Sequence, residues 1–292
     1  MIKATHTIEN ISITNAPSIS AIYFALLQSG YDYYSLGRTQ KQIESVKSFC
    51  NPELSSVFFS QAKQNTCETY SYWPRAALME SAVFYINTDT ARFSNFAEYK
   101  NFVMSASNLK DTQRDENFWS WIADFPAELN RVINSEPFKK YLEWENGWIE
   151  QQNKANTDTL TALQQTIEIC TDRYNTDINT IKIVLSPIKC AYSSDYHVTD
   201  KQLIICSGTF NSDSVIHEFL HHIIHPYIIK TQSRILASKK HFDGIDNSYY
   251  LDNDSGKLNA FEEYSVRALT KQALKKALPD DLEKYILSLS DN

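Results

Sequence analysis

The chain has 292 residues, 42% of them hydrophobic and 22% charged, with a net charge of −7. That is the composition of an ordinary globular protein, long enough for one large domain or two smaller ones. The acidic balance gives no general attraction to nucleic acid or an anionic membrane, and no apolar run approaches the ~18 residues of a spanning helix, so no nucleic-acid or membrane partner is expected.

The start of the chain, Met1 to His6, lacks the apolar core of a secretory signal. A cytoplasmic protein is therefore expected, although a secreted chain with its signal removed would read the same way. Ile11 and Ile13 alternate with polar residues as in a short strand, and Pro17-Ser18 opens an apolar helical run through Leu27. Helix starts are signalled at Thr39, at Asn51-Pro52 and at Tyr72-Trp73-Pro74, because proline suits a first helical position. Helical patterns continue over Phe96 to Met104, Phe118 to Ile122 and Ala127 to Ile133, with Pro126 and Pro137 dividing the later ones. From Phe138 to Ile149 the aromatic residues fall on one helix face. Core packing explains them better than a carbohydrate platform. The polar interval from Glu150 to Thr159 is either the exposed part of one long helix or a boundary. The expected organisation is a helical region, 1–155, followed by a second region, 156–292, or one continuous domain.

In the second region Leu160, Leu163, Ile167 and Ile169 keep helical spacing, after which the pattern changes. Ile181, Ile183 and Leu185 alternate, and Gln202 to Cys206 is a second short apolar run, so two strands are expected before a long helix. Helices are expected again from Leu258 to Leu274 and from near Pro279 through Leu289. Five cysteines, Cys50, Cys67, Cys170, Cys190 and Cys206, are widely spaced with no CxxC pair, which reads as buried free thiols in a reducing compartment.

The helix between these segments carries His217-Glu218-Phe219-Leu220-His221. Residues four apart on a helix sit about 40° apart and one turn up. Two imidazoles so placed can grip one ion at Zn–N distances of about 2.0–2.1 Å. Glu218 then lies within reach of the attacking water as general base. Ser212 or Asp213 is the expected cap, and Pro226 the expected end. The bland alternative is a partly buried helix whose two histidines are hydrogen-bonded in the core.

A catalytic zinc takes three protein ligands and keeps a fourth position open. His222-Ile223-Ile224-His225-Pro226 is not the metzincin continuation, and one straight helix cannot wrap three ligands around an ion. His222 and His225 are therefore read as supporting or surface residues. The third ligand is sought on the later helix, where Glu262 and Glu263 project about 100° apart. Glu263 is favoured, because Arg267 one turn on can orient it, with Glu262 as the alternative.

A His-Glu-x-x-His helix followed by a helical glutamate resembles the gluzincin type of zinc metallopeptidase. More closely, Val215-Ile216-His217-Glu218-Phe219-x-His221, then Pro226, then Glu263-x-x-Val266-Arg267-Ala268 resembles an uncharacterised bacterial zincin-like domain family over residues 180 to 275. The chain departs from that pattern at His222, where a small residue is expected. The resemblance implies an α+β, mostly helical fold with a zincin-like metallopeptidase core and a small sheet before the motif helix. It implies Zn2+ held by His217, His221 and Glu263, with Glu218 as base and then acid. The implied substrate is a peptide or protein, aligned by backbone hydrogen bonds to an edge strand, for which Leu203 to Cys206 is the candidate. Oxyanion stabilisation would fall to His241, Tyr249 or Tyr250, between the two metal helices. Two other readings stand beside this one: a zincin-shaped protein that only binds a partner, and a metallohydrolase acting on a non-peptide substrate.

Overall fold

The computed structural model describes residues 10–31, 40–62, 69–70, 73–74, 116–189, 194–199, 201–238 and 253–290. The observed class is α+β, mostly helical, with a four-stranded sheet that lies before the motif helix in the chain. Among the described residues no helix is long and apolar enough to cross a membrane. The expected Phe96–Met104 helix, Tyr72, Cys67, Cys190, His241, Tyr249 and Tyr250 lie outside the described residues.

Strand β1 (Asn10–Thr14) precedes α1 (Pro17–Gln28), which is buried on every side from Ser18 to Gln28, as its all-round apolar sequence requires. Helix α2 (Gln40–Lys47), a 3-10 turn at Pro52–Leu54 and the short α3 (Val57–Ser60) follow. The turn is capped by Asn51, whose side chain accepts from the Glu53 N–H at 3.1 Å. The helix start expected at Tyr72-Trp73-Pro74 is not what forms. Strand β3 (Trp73–Pro74) pairs antiparallel with β2 (Thr69–Tyr70). Proline holds the residue before it extended, and aromatic residues favour strands.

Helices α4 (Glu116–Ile122), α5 (Phe125–Ile133) and α6 (Glu136–Ala155) come next. Helix α6 is capped by Ser135. The polar interval is helical on both sides of a single joint residue: α6 ends at Ala155, Asn156 makes the turn, and α7 (Thr157–Arg173) begins at once. The aromatic face of α6 is core, since Phe138 and Tyr141 lie 5.5 and 5.2 Å from the ring of Phe24 on α1.

Strands β4 (Thr180–Leu185), β5 (Ser194–Thr199) and β6 (Gln202–Ser207) complete the sheet, in the order β1-β4-β6-β5. Strands β1, β4 and β6 are parallel, whereas β5 runs antiparallel to β6 at the edge. Two corrections follow. Leu203 to Cys206 lies inside the sheet rather than at its edge, and the edge strand, β5, is one that the sequence reading passed over. A sheet interior wants continuous apolar residues, which β6 supplies. A half-covered edge tolerates the alternation of Asp195, Tyr196, His197 and Val198. The two-residue link from β5 to β6 puts Lys201 at φ 64°, the left-handed backbone that such hairpins use.

The sheet separates two cores. Val184, Ile204 and Cys206 face α1, α3, α4, α5 and the start of α6. Ile11, Ile13, Ile181, Ile183, Leu203 and Ile205 face α7 and the three helices that follow the sheet. The first of these, α8 (Ser212–Ala237), is capped by Asn211, one residue before the expected Ser212 or Asp213. Its side chain accepts from the Asp213 and Ser214 N–H groups at 2.9 and 3.4 Å. Nor does α8 end at Pro226, which stands inside it. An interior proline costs about 3 kcal/mol. Burial of Ile228 and Ile235 beyond it offsets this at about 1.5–3 kcal/mol each. Helices α9 (Asp254–Leu274) and α10 (Leu282–Ser290) lie close to the expected bounds.

Where the sheet meets the first core, Glu145 of α6 is wholly buried. It accepts from Ser20 Oγ at 2.7 Å, Tyr141 OH at 2.7 Å and Asn15 Nδ2 at 3.1 Å. Burial pushes its carboxyl up to about 7 despite those hydrogen bonds. The folded protein thus holds this proton more tightly than the unfolded chain does. The resulting stability is complete below the ordinary value of 4.5 and is lost as pH rises through about 7. Urea unfolding between pH 5 and 8 is expected to show wild type losing on the order of 3 kcal/mol relative to Glu145→Gln. Parallel pH profiles for the two proteins would refute this.

Candidate metal centre

The i, i+4 spacing on α8 brings the His217 and His221 rings edge to face, with centroids 4.8 Å apart and planes at 78°. Their Nε2 atoms are 3.1 Å apart. Helix α9 packs along α8, with Phe219, Leu220 and Ile223 sharing a core with Phe261, Val266 and Leu269, and this contact carries Glu263 to the same point. One Glu263 oxygen lies 3.1 Å from His221 Nε2 and the other 3.5 Å from His217 Nε2. Three donors each about 2.0–2.1 Å from a tetrahedral ion would stand about 3.3 Å from one another. The residues therefore fit such an ion, and among the described residues this is the cluster with metal-ligand geometry.

Glu262 takes the other side of the helix turn. It accepts from His221 Nδ1 at 2.9 Å and from His225 Nδ1 at 2.8 Å. With the His221 proton on Nδ1, the lone pair of the neutral ring is on Nε2, facing Glu263 and His217. A carboxylate behind a ligating imidazole is the usual means of fixing its tautomer and ring orientation. Glu262 thus stands behind the donor cluster rather than in it. His225 supports Glu262, and His222 points elsewhere, 3.5 Å from Asp177. Arg267 reaches Glu263 at 3.5 Å but is 62% exposed, so the pair adds little to stability.

No protein-family model, curated protein or solved structure matches this chain.

The electrostatics of the cluster favour positive charge. Burial opposes protonation of His221, but its hydrogen bonds to Glu262 and Glu263 prevail and raise it to about 9. Burial likewise works against the charged form of Glu263, yet hydrogen bonds from His217 and His221 hold its carboxyl far below the usual range. The sites that attract protons are those that would hold a metal, so the two compete.

Glu218 lies on α8 between the two histidines in sequence and is partly buried. Burial pushes its carboxyl up to about 7. The positive charge of His221 opposes this, while Asp195 and Glu263 add to it. The edge strand borders the same site. Tyr196 of β5 stacks on His221 with ring centroids 5.7 Å apart and planes at 10°. Its neighbour Asp195 accepts from Lys189 Nζ at 2.7 Å, and that lysine is 1% exposed. The sequence reading singled out none of Tyr196, Asp195 and Lys189. The available signal was the aromatic and β-branched alternation of Tyr196 and Val198 just before the β6 run.

Proposed function

We propose that this protein is a zinc-dependent peptidase or amide hydrolase of the two-histidine, one-glutamate type, as its resemblance to gluzincins implies. The observation that carries the reading is the convergence of His217 Nε2, His221 Nε2 and the Glu263 carboxylate at ion-binding spacing, with Glu218 beside them. Two imidazoles and a carboxylate are a donor set that suits zinc and leaves a position open. When bound there, zinc would polarise the substrate carbonyl and acidify the attacking water.

The chain's own residues supply the remaining parts. Glu218 takes a proton from the water and returns it to the departing amine. Glu262 keeps the His221 ring turned toward the centre. Strand β5 pairs with β6 on one side only among the described strands, and its other edge suits an extended peptide. That edge favours a peptide over a non-peptide substrate. The free thiols Cys50, Cys170 and Cys206 accord with a cytoplasmic setting. Elemental analysis of purified protein should find about one zinc per chain. A peptide library should be cleaved, with activity lost to a chelator and restored by zinc. Absence of stoichiometric zinc, or zinc-loaded protein that cleaves no peptide, would refute the proposal.

A further inference from the structure

We infer that Tyr196 is a positioning residue for the metal ligand His221, acting through its ring rather than its hydroxyl. The inference rests on the metal-site reading above and deepens it. An imidazole ligand has two freedoms after its tautomer is set: rotation of the ring in its own plane and tilt of that plane. The bond from Nδ1 to Glu262 at 2.9 Å restrains the first. A single hydrogen bond at the ring edge restrains the second weakly, because tilting about the bond axis leaves its length nearly unchanged. The tilt needs a rigid neighbour alongside the ring, and Tyr196 provides one in an offset stack, 10° from parallel with centroids 5.7 Å apart.

That surface is itself anchored. Tyr196 stands opposite Ile205 in the sheet register and packs into the core shared by Phe219 and Leu220 of α8. Its position is therefore set by the sheet, independently of α9, which brings Glu262. His221 is held from two elements at once, by an acceptor from α9 at its edge and a ring from β5 on its face. Strand β5 also offers its outer edge, so one strand both holds a metal ligand and borders the space where substrate would lie.

The test compares zinc affinity, by competition with a chromogenic chelator, for wild type, Tyr196→Phe and Tyr196→Leu, together with the visible spectrum of each cobalt-substituted protein. Loss of a group supporting a ligand costs about 10–100-fold in metal affinity. Tyr196→Phe keeps the ring and is expected to bind zinc as wild type does, with an unchanged cobalt spectrum. Tyr196→Leu is expected to bind about 10-fold more weakly and to shift the cobalt bands. If Tyr196→Leu fails to fold, Tyr196→Met, of similar reach but without a ring, takes its place. An unchanged spectrum and affinity in the ringless variant would overturn the inference. So would a Tyr196→Phe loss equal to that of Tyr196→Leu. Wild type that binds no zinc would overturn the metal-site reading as well, so the two failures are distinguishable.

Discussion

Glu218→Gln is expected to lower peptide turnover by about 10²–10⁴-fold while the protein keeps its zinc. The substitution preserves size and removes only the ability to take and return a proton. Glu218 is not one of the three converging donors, so metal content should be unaffected, and single-turnover kinetics beside elemental analysis will separate the two effects. Turnover within 10-fold of wild type would remove Glu218 from the chemistry. Loss of zinc in this variant would instead place it among the ligands.

The second large effect separates two adjacent carboxylates. Glu263→Ala removes a donor and is expected to abolish stoichiometric zinc binding, because two imidazoles alone remain. Glu262→Ala leaves the donors in place and is expected to weaken zinc by about 10–100-fold through a loosened His221. Both glutamates should also contribute to the stability of the metal-free protein. Glu262 is buried and satisfies two imidazole N–H groups. Its loss orphans the buried His221 donor at a cost of about 1–3 kcal/mol. Glu263 accepts from His217 and His221, so its removal should also lower the melting temperature of the metal-free protein. Chelator competition and thermal unfolding of the metal-free variants check both halves. Zinc retained by Glu263→Ala and lost from Glu262→Ala would reverse the assignment.

These two glutamates show how far the sequence could be read. Adjacent helical residues point about 100° apart, so only one was expected to face the centre, and Arg267 one turn on favoured Glu263. What the local sequence did not reveal was a task for the other. Glu262 meets His221 and His225 only because α9 packs against α8 in one register, a relation set by Phe219, Phe261, Val266 and Leu269 across some 40 residues of chain.

The same contrast runs through the fold. Ile181, Ile183 and Leu185 announced β4 by alternation, and Pro17 announced α1, because both signals act within a few residues. Strand β5 is half polar, and its place at the sheet edge depends on pairing with β6. Pro226 reads as a helix end, yet α8 continues because Ile228 and Ile235 find a core built by other helices. The Trp73-Pro74 step obeyed the extended preference before proline once β2 was there to pair with it.

By itself, then, the sequence determined that His217 and His221 share one face of a helix with Glu218 between them, since a helical repeat is a local geometry. It also determined that this helix follows a small sheet in a mostly helical chain. Only the tertiary structure decided that Glu263 joins the two histidines, that Glu262 backs His221, and that Tyr196 lies on its ring. Each of those contacts joins segments distant in sequence. Their positions follow from how α8, α9 and β5 pack around a common core, which no short stretch of residues encodes.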